Sequence, residues 1–301
     1  MSIAQQARSP AWTASLGQGA RRSEFTKTVR RLAQNKGAIG GGIVLALIVL
    51  MAAFAPVLAP KDPSLQDYSR VLMPPGPEAP LGTDQFGRDI LSRVVLGSRP
   101  SLQAAAIAIL IASSVGTVIG LVTGYRRGWI DLLIQRLIDI QLAFPGILFA
   151  LAIVAVLGPG LRNAMIAVGI SLVPAYARMV RGSVLSIREN AYVEAAHVMG
   201  AGTGRIVVRH ILPNVLAPII VLSTVGIAWA ILIGASLSFL GLGAQLPDPE
   251  WGLDLAQSRD YLREAWWMST FPGLAIMLTA LSVNLLGEGL RDALDPRLRS
   301  R

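Results

Sequence analysis

Long apolar stretches without charge alternate with polar segments along this chain, and their lengths predict membrane-spanning helices. Residues 37–60 and 100–125 contain no charged side chain. Each is longer than the roughly 20 residues with which a helix, rising about 1.5 Å per residue, crosses the hydrocarbon core of a bilayer. Comparable stretches predict further spans at 132–157, from Asn163 onward, after Ile211 and at 265–287. The pattern therefore predicts an all-α membrane protein with six transmembrane helices.

The third and fourth predicted spans contain charges that need an explanation. Arg136 and Asp139 lie three residues apart on one helical face, and we expect them to neutralise each other as a structural pair. A proton or ion relay is the alternative, but it would need further acidic groups deep in the spans, and 140–161 contains none. In the fourth span, Pro174 and Arg178 predict a short or kinked helix that extends beyond the membrane surface, with Arg178 and Arg181 on the cytoplasmic side.

The segments between the spans predict the domain organisation. Residues 1–36 are expected to be a cytoplasmic tail, whose basic end at 21–36 is consistent either with an interfacial helix or with a plain positive flank. A signal peptide is a competing interpretation of 37–60, but its apolar region would cover only about 7–15 residues. The remaining segments are an extracytoplasmic loop at 61–99, a five-helix core at 100–290 and a cytoplasmic tail at 291–301.

Composition and charge agree with a membrane protein. Hydrophobic residues make up 53% of the 301 residues, and the mean hydropathy of +0.55 exceeds that of most soluble domains. The net charge of +9 comes from arginines in loops, where positive charge marks the cytoplasmic side, so it does not indicate nucleic-acid binding. Amphipathic aromatics are enriched at membrane interfaces, which places Trp251, Tyr261, Trp266 and Trp267 at the outer one.

No catalytic constellation, cofactor site or metal site is predicted. The chain has no cysteine, which excludes thiolate chemistry. Its lysines are Lys27, Lys36 and Lys61, and none follows the glycine pattern of a phosphate-binding loop, GxxxxGK[ST]. Both histidines, His197 and His210, fall in one polar segment outside the spans, and we expect both to be structural. Any ATP-driven activity would therefore depend on another protein that binds the nucleotide.

That polar segment, residues 192–214, predicts a short helix, a tight turn and a second helix. Its sequence is YVEAAHVMGAGTGRIVVRHILPN, in which Gly200, Gly202 and Gly204 favour a turn. Pro213 stands where a new helix could begin, because proline lacks an N–H that a first helical turn leaves unpaired. A partnerless amphipathic hairpin in the membrane interface is the plainer interpretation of the same pattern.

The segment resembles the EAA loop of ABC import permeases. The positions of that motif are occupied by Glu194, Ala195, Ala196, Gly200, His210, Leu212 and Pro213, with His210 in place of the usual isoleucine. The resemblance implies a cytoplasmic docking element that sits in a groove of an ATPase subunit. In that role Glu194 would make a polar contact at the rim of the groove. The two alanines would permit close approach, and Gly200 would allow the turn.

Three further motifs resemble the dipeptide, oligopeptide and nickel branch of these permeases, in the family's order. Residues 81–89 match its LGTDxxGRD signature, in which Arg88 can pair with a neighbouring aspartate. Residues 238–243, followed by 247–252, resemble the pattern SFLGLG…P…WG. The end of the last span resembles NLLGDGLRDALDPRLR, with Glu288 in place of the usual aspartate. The resemblance covers most of the chain, from about Gly37 to Arg299.

This resemblance implies a type I ABC importer permease fold with a cytoplasmic coupling loop, in the shorter permease of a dipeptide or oligopeptide importer. The implied partners are a second permease, two ATP-binding cassette subunits, an extracytoplasmic substrate-binding protein and membrane lipid. The implied location is the bacterial inner membrane, which the chain crosses several times with both termini cytoplasmic, and the arginine distribution favours this orientation. Closure of the ATPases would push on 194–200, and rigid helices would carry the movement to the translocation path.

Other functions stay open at the level of the sequence. Nickel, glutathione or oligosaccharides could be substrates within the same importer class, since ligand choice lies mainly with the binding protein. A secondary carrier would work alone and should show ionisable groups within its spans, where they are nearly absent. A membrane-anchored scaffold would need a sizeable soluble domain, and no loop is large enough to form one.

Overall fold

The computed structural model describes residues 32–294, which form helices and their connections. The α-helices of this range are, in chain order, α1 (Lys36–Ala53), α2 (Ala55–Leu58), α3 (Ile90–Tyr125), α4 (Trp129–Ala143), α5 (Gly146–Leu157), α6 (Leu161–Ile187), α7 (Ala191–Val198), α8 (Thr203–Ile206), α9 (Leu212–Phe239), α10 (Trp251–Ser258) and α11 (Trp267–Leu294). Most of the expected interfacial segment at 21–36 and most of the tail at 291–301 lie outside the described residues.

Five stretches of the described chain are long and apolar enough to cross a membrane, namely α1, α3, α6, the continuous helical stretch Thr203–Phe239 and α11. Helices α4 and α5 pass the same test together, but they are bent by 96° at the break between them. Phe144, at the break, has an extended backbone with ψ of 138°, as expected for a residue that precedes a proline. The predicted third span is therefore a broken span rather than a single helix.

A close seam joins α3 to α6 through glycines spaced four residues apart. Along the seam, the glycines at 116, 120 and 124 face Tyr176, Val180 and Val184 in that order. A Cβ atom at Gly120 would lie 2.6 Å from the Val180 Cβ atom and 2.7 Å from a backbone oxygen of α6. Small residues at such positions let helix backbones approach in a membrane. The facing residue numbers rise together, so α3 and α6 run parallel.

Parallel α3 and α6 require the chain to return across the bundle between them. The Arg188 guanidinium, after the end of α6, donates to the carbonyl oxygens of Gly124 and Tyr125 at the end of α3, at 3.4 and 3.3 Å. At the opposite end, the Gly160 N–H before α6 donates to the Leu242 carbonyl oxygen beyond α9, at 3.1 Å. The broken pair α4–α5 therefore makes the return, and it counts as a sixth crossing of the described chain.

The first helix, α1, packs antiparallel against the last, α11. A Cβ atom at Gly41 would lie 2.6 Å from the Ser282 carbonyl oxygen, so only glycine fits there. At the other end of α1, the Arg99 side chain donates to the carbonyl oxygens of Ala52 and Ala53 at 2.6 and 2.7 Å. These carbonyl groups belong to the unpaired end of a helix, and Arg99 satisfies them.

Helix α3 starts earlier than the pattern of charges predicts, and α6 is not the short helix that was expected. Helix α3 begins at Ile90, before the expected start at Pro100, and the Asp89 side chain caps it by accepting from the Ser92 N–H at 2.8 Å. Helix α6 continues through Pro174 to Ile187 without ending. In both cases long helix-to-helix contacts hold the proline inside a helix, which local sequence does not reveal.

The expected aromatic belt is wrong for two of its four members. Trp251 is 0% exposed and Trp267 is 6% exposed, whereas Trp266 is 54% exposed. The indole N–H of Trp251 donates to the Val94 carbonyl oxygen at 2.9 Å, and that of Trp267 donates to the Thr83 carbonyl oxygen at 3.1 Å. Both rings are thus buried anchors between the start of α3 and the last third of the chain.

Candidate functional site

The segment 192–214 forms the predicted helix, turn and second helix. Helix α7 leads into a turn, and α8 then continues through a π-helical turn (Val207–Ile211) directly into α9. Pro213 lies in the first turn of α9, where the sequence predicted that a helix could begin, although the π-helical turn joins α9 to α8 without a break. Gly204 belongs to α8 rather than to the turn. We call residues 191–211 the coupling loop.

The turn of the coupling loop depends on Gly200, whose φ of +79° favours glycine. The Ala201 N–H donates to the Ala196 carbonyl oxygen at 3.0 Å, and the Gly200 N–H donates to the His197 carbonyl oxygen at 3.0 Å. These two hydrogen bonds form a Schellman motif, which ends a helix while satisfying its last carbonyl groups. The sequence prediction that Gly200 supplies the turn is therefore confirmed.

The inward face of the coupling loop packs against the α3–α6 seam. Val193 and Ala196 of α7 are buried in one hydrophobic cluster with Ile206 and Ile211. The same cluster contains Tyr176, Val180 and Val184, the residues of α6 that face the glycines of α3. The coupling loop is therefore in close-packed contact with α6, and through the seam with α3.

The outward face of the coupling loop presents large apolar side chains. Val198, the last residue of α7, is 83% exposed, and Met199, which follows it, is 81% exposed. Glu194 and Ala195 are exposed on the same helix, whereas the second alanine of the motif, Ala196, is buried. Apolar side chains exposed together in this way mark a surface that contacts another protein or a membrane.

The remaining residues of the segment differ in their contacts and exposure. The His210 carbonyl oxygen accepts from the Asn214 side chain at 2.6 Å, and its ring centroid lies 6.4 Å from that of Tyr192. His197 and Pro213 are exposed, and Leu212 is half-buried. Beside them an open groove is lined by Tyr125, Arg127, Arg188, Glu189, Glu194 and His197. Within residues 32–294, no three histidine or carboxylate side chains are grouped to hold a metal ion.

The charges of α4 pair with α6 and not with each other, so the expected Arg136–Asp139 pair is wrong. Arg181 Nε and Nη2 donate to the two carboxylate oxygens of Asp131, both at 2.7 Å. Arg178 Nη2 donates to Asp139 Oδ1 at 2.5 Å. Arg136 is exposed instead. The two arginines lie on the neighbouring helix, where spacing within α4 cannot reveal them.

A buried ionic network holds the other end of the bundle together. Arg88 Nε lies 2.6 Å from Asp84 Oδ2, which confirms the pairing expected within residues 81–89. Arg93 Nη2 lies 2.6 Å from Asp254 Oδ1, which ties the start of α3 to α10. Burial raises the pKa of Asp254 to about 6, against the opposing effect of Arg93. Burial also lowers the pKa of Arg88, and its neighbour Arg93 acts in the same direction.

Comparison with known families decides what this arrangement belongs to. A family model described as the inner membrane component of binding-protein-dependent transport systems matches residues 116–300, which is more than half of the chain. The chain belongs to this family. A second model, the N-terminal transmembrane domain of oligopeptide transport permease C, matches residues 23–75 of the same permease. The permease is therefore a multi-pass inner membrane subunit of an ABC importer, which works with ATPase and substrate-binding partners.

Individual relatives are similar over nearly their whole length. The permease is 49% identical to a dipeptide transport system permease of Alkalihalophilus pseudofirmus, over 92% of this chain and 91% of that protein. It is 48% identical to a di/tripeptide transport system permease of Pseudomonas aeruginosa, over 89% of this chain and 90% of that protein. It is 44% identical to a glutathione transport system permease of Pectobacterium atrosepticum, over 93% of each chain.

A solved structure supports the fold. The inward-facing MetNI methionine ABC transporter contains a chain that matches with a TM-score of 0.56 at 20% identity, over 68% of this permease and 98% of that chain. At this identity the match shows the fold alone, which is that of a type I ABC importer permease.

Motif comparison did not predict the role of two groups of residues in the site. The glycines at 116, 120 and 124 carry a regular four-residue spacing, a signal typical of close helix packing in membranes that could have predicted the seam. Arg178 and Arg181 carry no such signal for their carboxylate partners, because an arginine in a span does not indicate which helix will supply its counter-charge.

Proposed function

We propose that this permease is one of two permease subunits in an ATP-driven importer of dipeptides. The observation that carries the proposal is the similarity, at 49% and 48% identity over about nine tenths of the chain, to permeases of dipeptide and di/tripeptide transport systems. The complete importer would contain a second permease, two ATP-binding cassette subunits and an extracytoplasmic substrate-binding protein. ATP would be hydrolysed by the partner subunits, and this chain would contribute half of the translocation path.

The coupling loop is the proposed contact with an ATPase subunit. Its exposed apolar tip, Val198 and Met199, would enter the groove of the ATPase, where burial of such side chains stabilises a complex by about 1.5–3 kcal/mol each. Glu194 is exposed and would contact the rim of the groove. Ala195 would permit close approach from the outside, while the buried Ala196 permits close approach of α7 to its own bundle. The remaining motif residues, Gly200, His210, Leu212 and Pro213, would hold the loop in shape.

The orientation of the proposed importer follows from the charges at the two ends of the bundle. The end with the coupling loop carries Arg126, Arg127, Arg188, Arg205 and Arg209. The chain also leaves α11 at this end, because Leu294 lines a groove with Asn214, and the sequence of the two terminal segments, 21–36 and 291–301, adds further basic residues there. At the opposite end, the exposed or half-exposed basic residues are fewer in total and stand among as many acids: Lys61, Arg70, Arg99, Arg162, Arg259 and Arg263 against Asp62, Asp67, Glu78, Asp248, Asp260 and Glu264. The positive-inside rule therefore supports a cytoplasmic coupling loop. Six crossings would then place both chain termini in the cytoplasm as well.

Glutathione import is the second candidate, because a glutathione permease is 44% identical over 93% of this chain. Glutathione also carries a free ammonium group and free carboxylates, so both candidates require a path for zwitterions. The extracytoplasmic binding protein would make the choice between them.

The test is purification of the tagged chain from its own membranes in mild detergent, with identification of its partners by mass spectrometry. We expect a second permease and two ATPase chains in stoichiometric amounts. The reconstituted assembly, with its binding protein, should take up dipeptides only when ATP is supplied. A chain that purifies alone and transports without ATP would overturn the proposal in favour of a secondary carrier.

A further inference from the structure

The ion pair between Arg178 and Asp139 lies well inside the length of two candidate membrane spans, whereas the sequence pattern placed Arg178 at the cytoplasmic surface. Counted along α4 and α6, each residue is about 15 Å from the coupling-loop end of its helix. That distance is about half of a hydrocarbon core of roughly 30 Å. Nevertheless, the two side chains are 53% and 50% exposed in this chain. Charges at such a depth face the interior of an assembly or a water-filled cavity rather than lipid.

The exposed face of α6 around this pair is not that of a helix in contact with lipid tails. At helical spacing it presents Ala175, Arg178, Gly182 and Ser186. Helix α1, in contrast, exposes large apolar side chains such as Leu47, which is 60% exposed, and Leu50, which is 51% exposed. The small and polar stripe on α6 therefore fits a surface that meets water or another helix rather than lipid.

The break between α4 and α5 is a third feature of the same region. Pro145 lies less than two helical turns beyond Asp139, and the neighbouring Phe144 is 57% exposed. Backbone that leaves the helical conformation at membrane depth is tolerated where other protein covers it or where it lines an aqueous cavity. Broken helices also form the substrate sites of many transporters. The charge pair, the stripe and the break thus point to one water-lined surface.

A second ion pair on the same two helices, Arg181–Asp131, provides a comparison, because it has the geometry of a purely structural pair. Arg181 binds both oxygens of Asp131, and their side chains are only 30% and 12% exposed. Arg178 instead makes a single hydrogen bond to Asp139 within the described residues. Its remaining N–H groups and Asp139 Oδ2 stay available to a ligand.

We propose that Arg178 and Asp139 form a transient binding site for the charged ends of a peptide inside the translocation path. This inference rests on the proposed import of dipeptides. The Arg178 guanidinium would bind the peptide carboxylate, and Asp139 would bind the peptide ammonium group, through charge-assisted hydrogen bonds. Between peptides the two side chains neutralise each other, so the empty path holds no unpaired charge. A site made of one exchangeable contact releases its ligand readily, as passage through a membrane requires.

Water access is tested by cysteine labelling, because the chain has no cysteine of its own. Ala175→Cys places a thiol on the exposed stripe about one turn from Arg178 and leaves the ion pair intact. Leu47→Cys is the matched control, since Leu47 lies at a similar depth on the apolar face of α1. The complete importer in liposomes is treated with a charged thiosulfonate on both membrane faces, and the label is read from the mass of this chain.

We expect labelling of Ala175→Cys and little labelling of Leu47→Cys. Dialanine should slow the labelling of Ala175→Cys, and the same peptide with an acetylated amino end and an amidated carboxyl end should not. Adding Arg178→Gln to Ala175→Cys should abolish the protection. An unlabelled Ala175→Cys would mean that lipid or a partner covers the stripe, and equal protection by both peptides would mean that the pair does not bind charged ends. Either result overturns the inference.

A transport measurement separates binding from a structural role. We expect Arg178→Gln to lower the amount of dialanine imported per ATP hydrolysed about tenfold, which is the effect of losing one hydrogen bond between charged groups. Arg181→Gln, which breaks the closed pair, should lower the yield of assembled importer and leave that ratio unchanged. An unchanged ratio in Arg178→Gln overturns the inference. Failure of the unaltered importer to take up dialanine with ATP would instead overturn the proposed function.

Discussion

Gly200 is the residue on which the shape of the coupling loop depends. At its φ of +79° a β-branched side chain is strained, and each residue in a left-handed conformation costs about 1–2 kcal/mol. A Cβ atom there would meet no neighbour within 4 Å, so the effect of a substitution is confined to the backbone. We expect Gly200→Val to keep its place in the membrane while the peptide imported per ATP hydrolysed falls, as measured in liposomes.

The neighbouring Gly202 provides the control for this prediction. Its φ of −64° suits any residue, and its surroundings are equally open, so Gly202→Val should transport normally. Gly200→Asn should retain more coupling than Gly200→Val, because asparagine tolerates the left-handed region. Equal transport by Gly200→Val and the unaltered importer would show that the turn does not couple the ATPase to the path.

The residues that sequence patterns predicted correctly are those whose role is local. Gly200 ends α7, and Arg88 pairs with Asp84 four residues away. The predictions that were wrong depend on distant contacts. In the sequence, Trp251 resembles an aromatic residue of the membrane interface. In the structure, its indole N–H donates to the Val94 carbonyl oxygen of α3 and the ring is buried. In the same way, Asp139 has a plausible partner in its own helix, but Arg178 approaches it from α6.

Asp254 should make the free energy of unfolding fall as the pH rises, whereas most aspartates make it rise. Its pKa in the folded protein, about 6, lies above the usual value of about 3.9 for an aspartate, so the folded state binds the proton more tightly than the unfolded state. Stability from this group is therefore fully present below about pH 4 and lost as the pH rises through 6, with a total of about 3 kcal/mol.

The prediction is measured as the difference between two melting curves in detergent. Between about pH 4 and pH 7 the unaltered permease should lose more stability than Asp254→Asn, because the amide cannot ionise. Other titrating groups contribute to both proteins and cancel in the difference. Parallel pH profiles, or a profile in which Asp254→Asn loses more, would show that Arg93 keeps the carboxylate ionised in the folded state.

At the level of elements, the packing of α1 against α11 depends on one glycine of an adjacent pair. A Cβ atom at Gly41 would lie 2.6 Å from the Ser282 carbonyl oxygen and 2.9 Å from Leu285 Cβ, whereas one at Gly40 would meet nothing within 4 Å. We expect Gly41→Ala to cost about 1–3 kcal/mol and to lower the melting temperature. Gly40→Ala should be neutral or stabilising by up to about 1 kcal/mol. Equal melting temperatures would mean that α11 moves aside freely.

The existence of the helices could be predicted from the sequence, but several of their ends and their breaks could not. Long, mainly apolar stretches located every candidate span, because apolar length is what a helix needs to cross hydrocarbon. Pro174 and Pro145 look alike in a sequence, yet α6 continues through the first and α4 ends before the second. Packing makes the difference: Pro174 is buried in the bundle, while Pro145 is exposed.

At the level of the whole molecule, one rigid body connects the coupling loop to the proposed path. Val193 and Ala196 pack on the α6 residues that face the glycines of α3, and Arg178 lies on the opposite, exposed side of the same helix. A displacement of α7 would therefore move α6 as a whole and change the exposure of the Arg178–Asp139 pair. Helix α6 thus contacts the proposed ATPase-docking loop and also carries a residue of the proposed translocation path. Movement of an ATPase would reach the peptide through this helix.

The crossing of α4–α5 and the directions of α3 and α6 can be tested together with the orientation of the chain. Ser69 and Thr203 are both exposed, one in the connection before α3 and the other in the coupling loop. We expect Ser69→Cys to react with an impermeant maleimide in intact spheroplasts, and Thr203→Cys to react only after the membrane is opened. If α4–α5 did not cross the membrane, α6 would run outward and both thiols would react from outside. If Thr203→Cys reacted from outside and Ser69→Cys only after opening, the coupling loop would lie outside, where no ATPase could reach it. The parallel packing of α3 and α6 would be unaffected by that result.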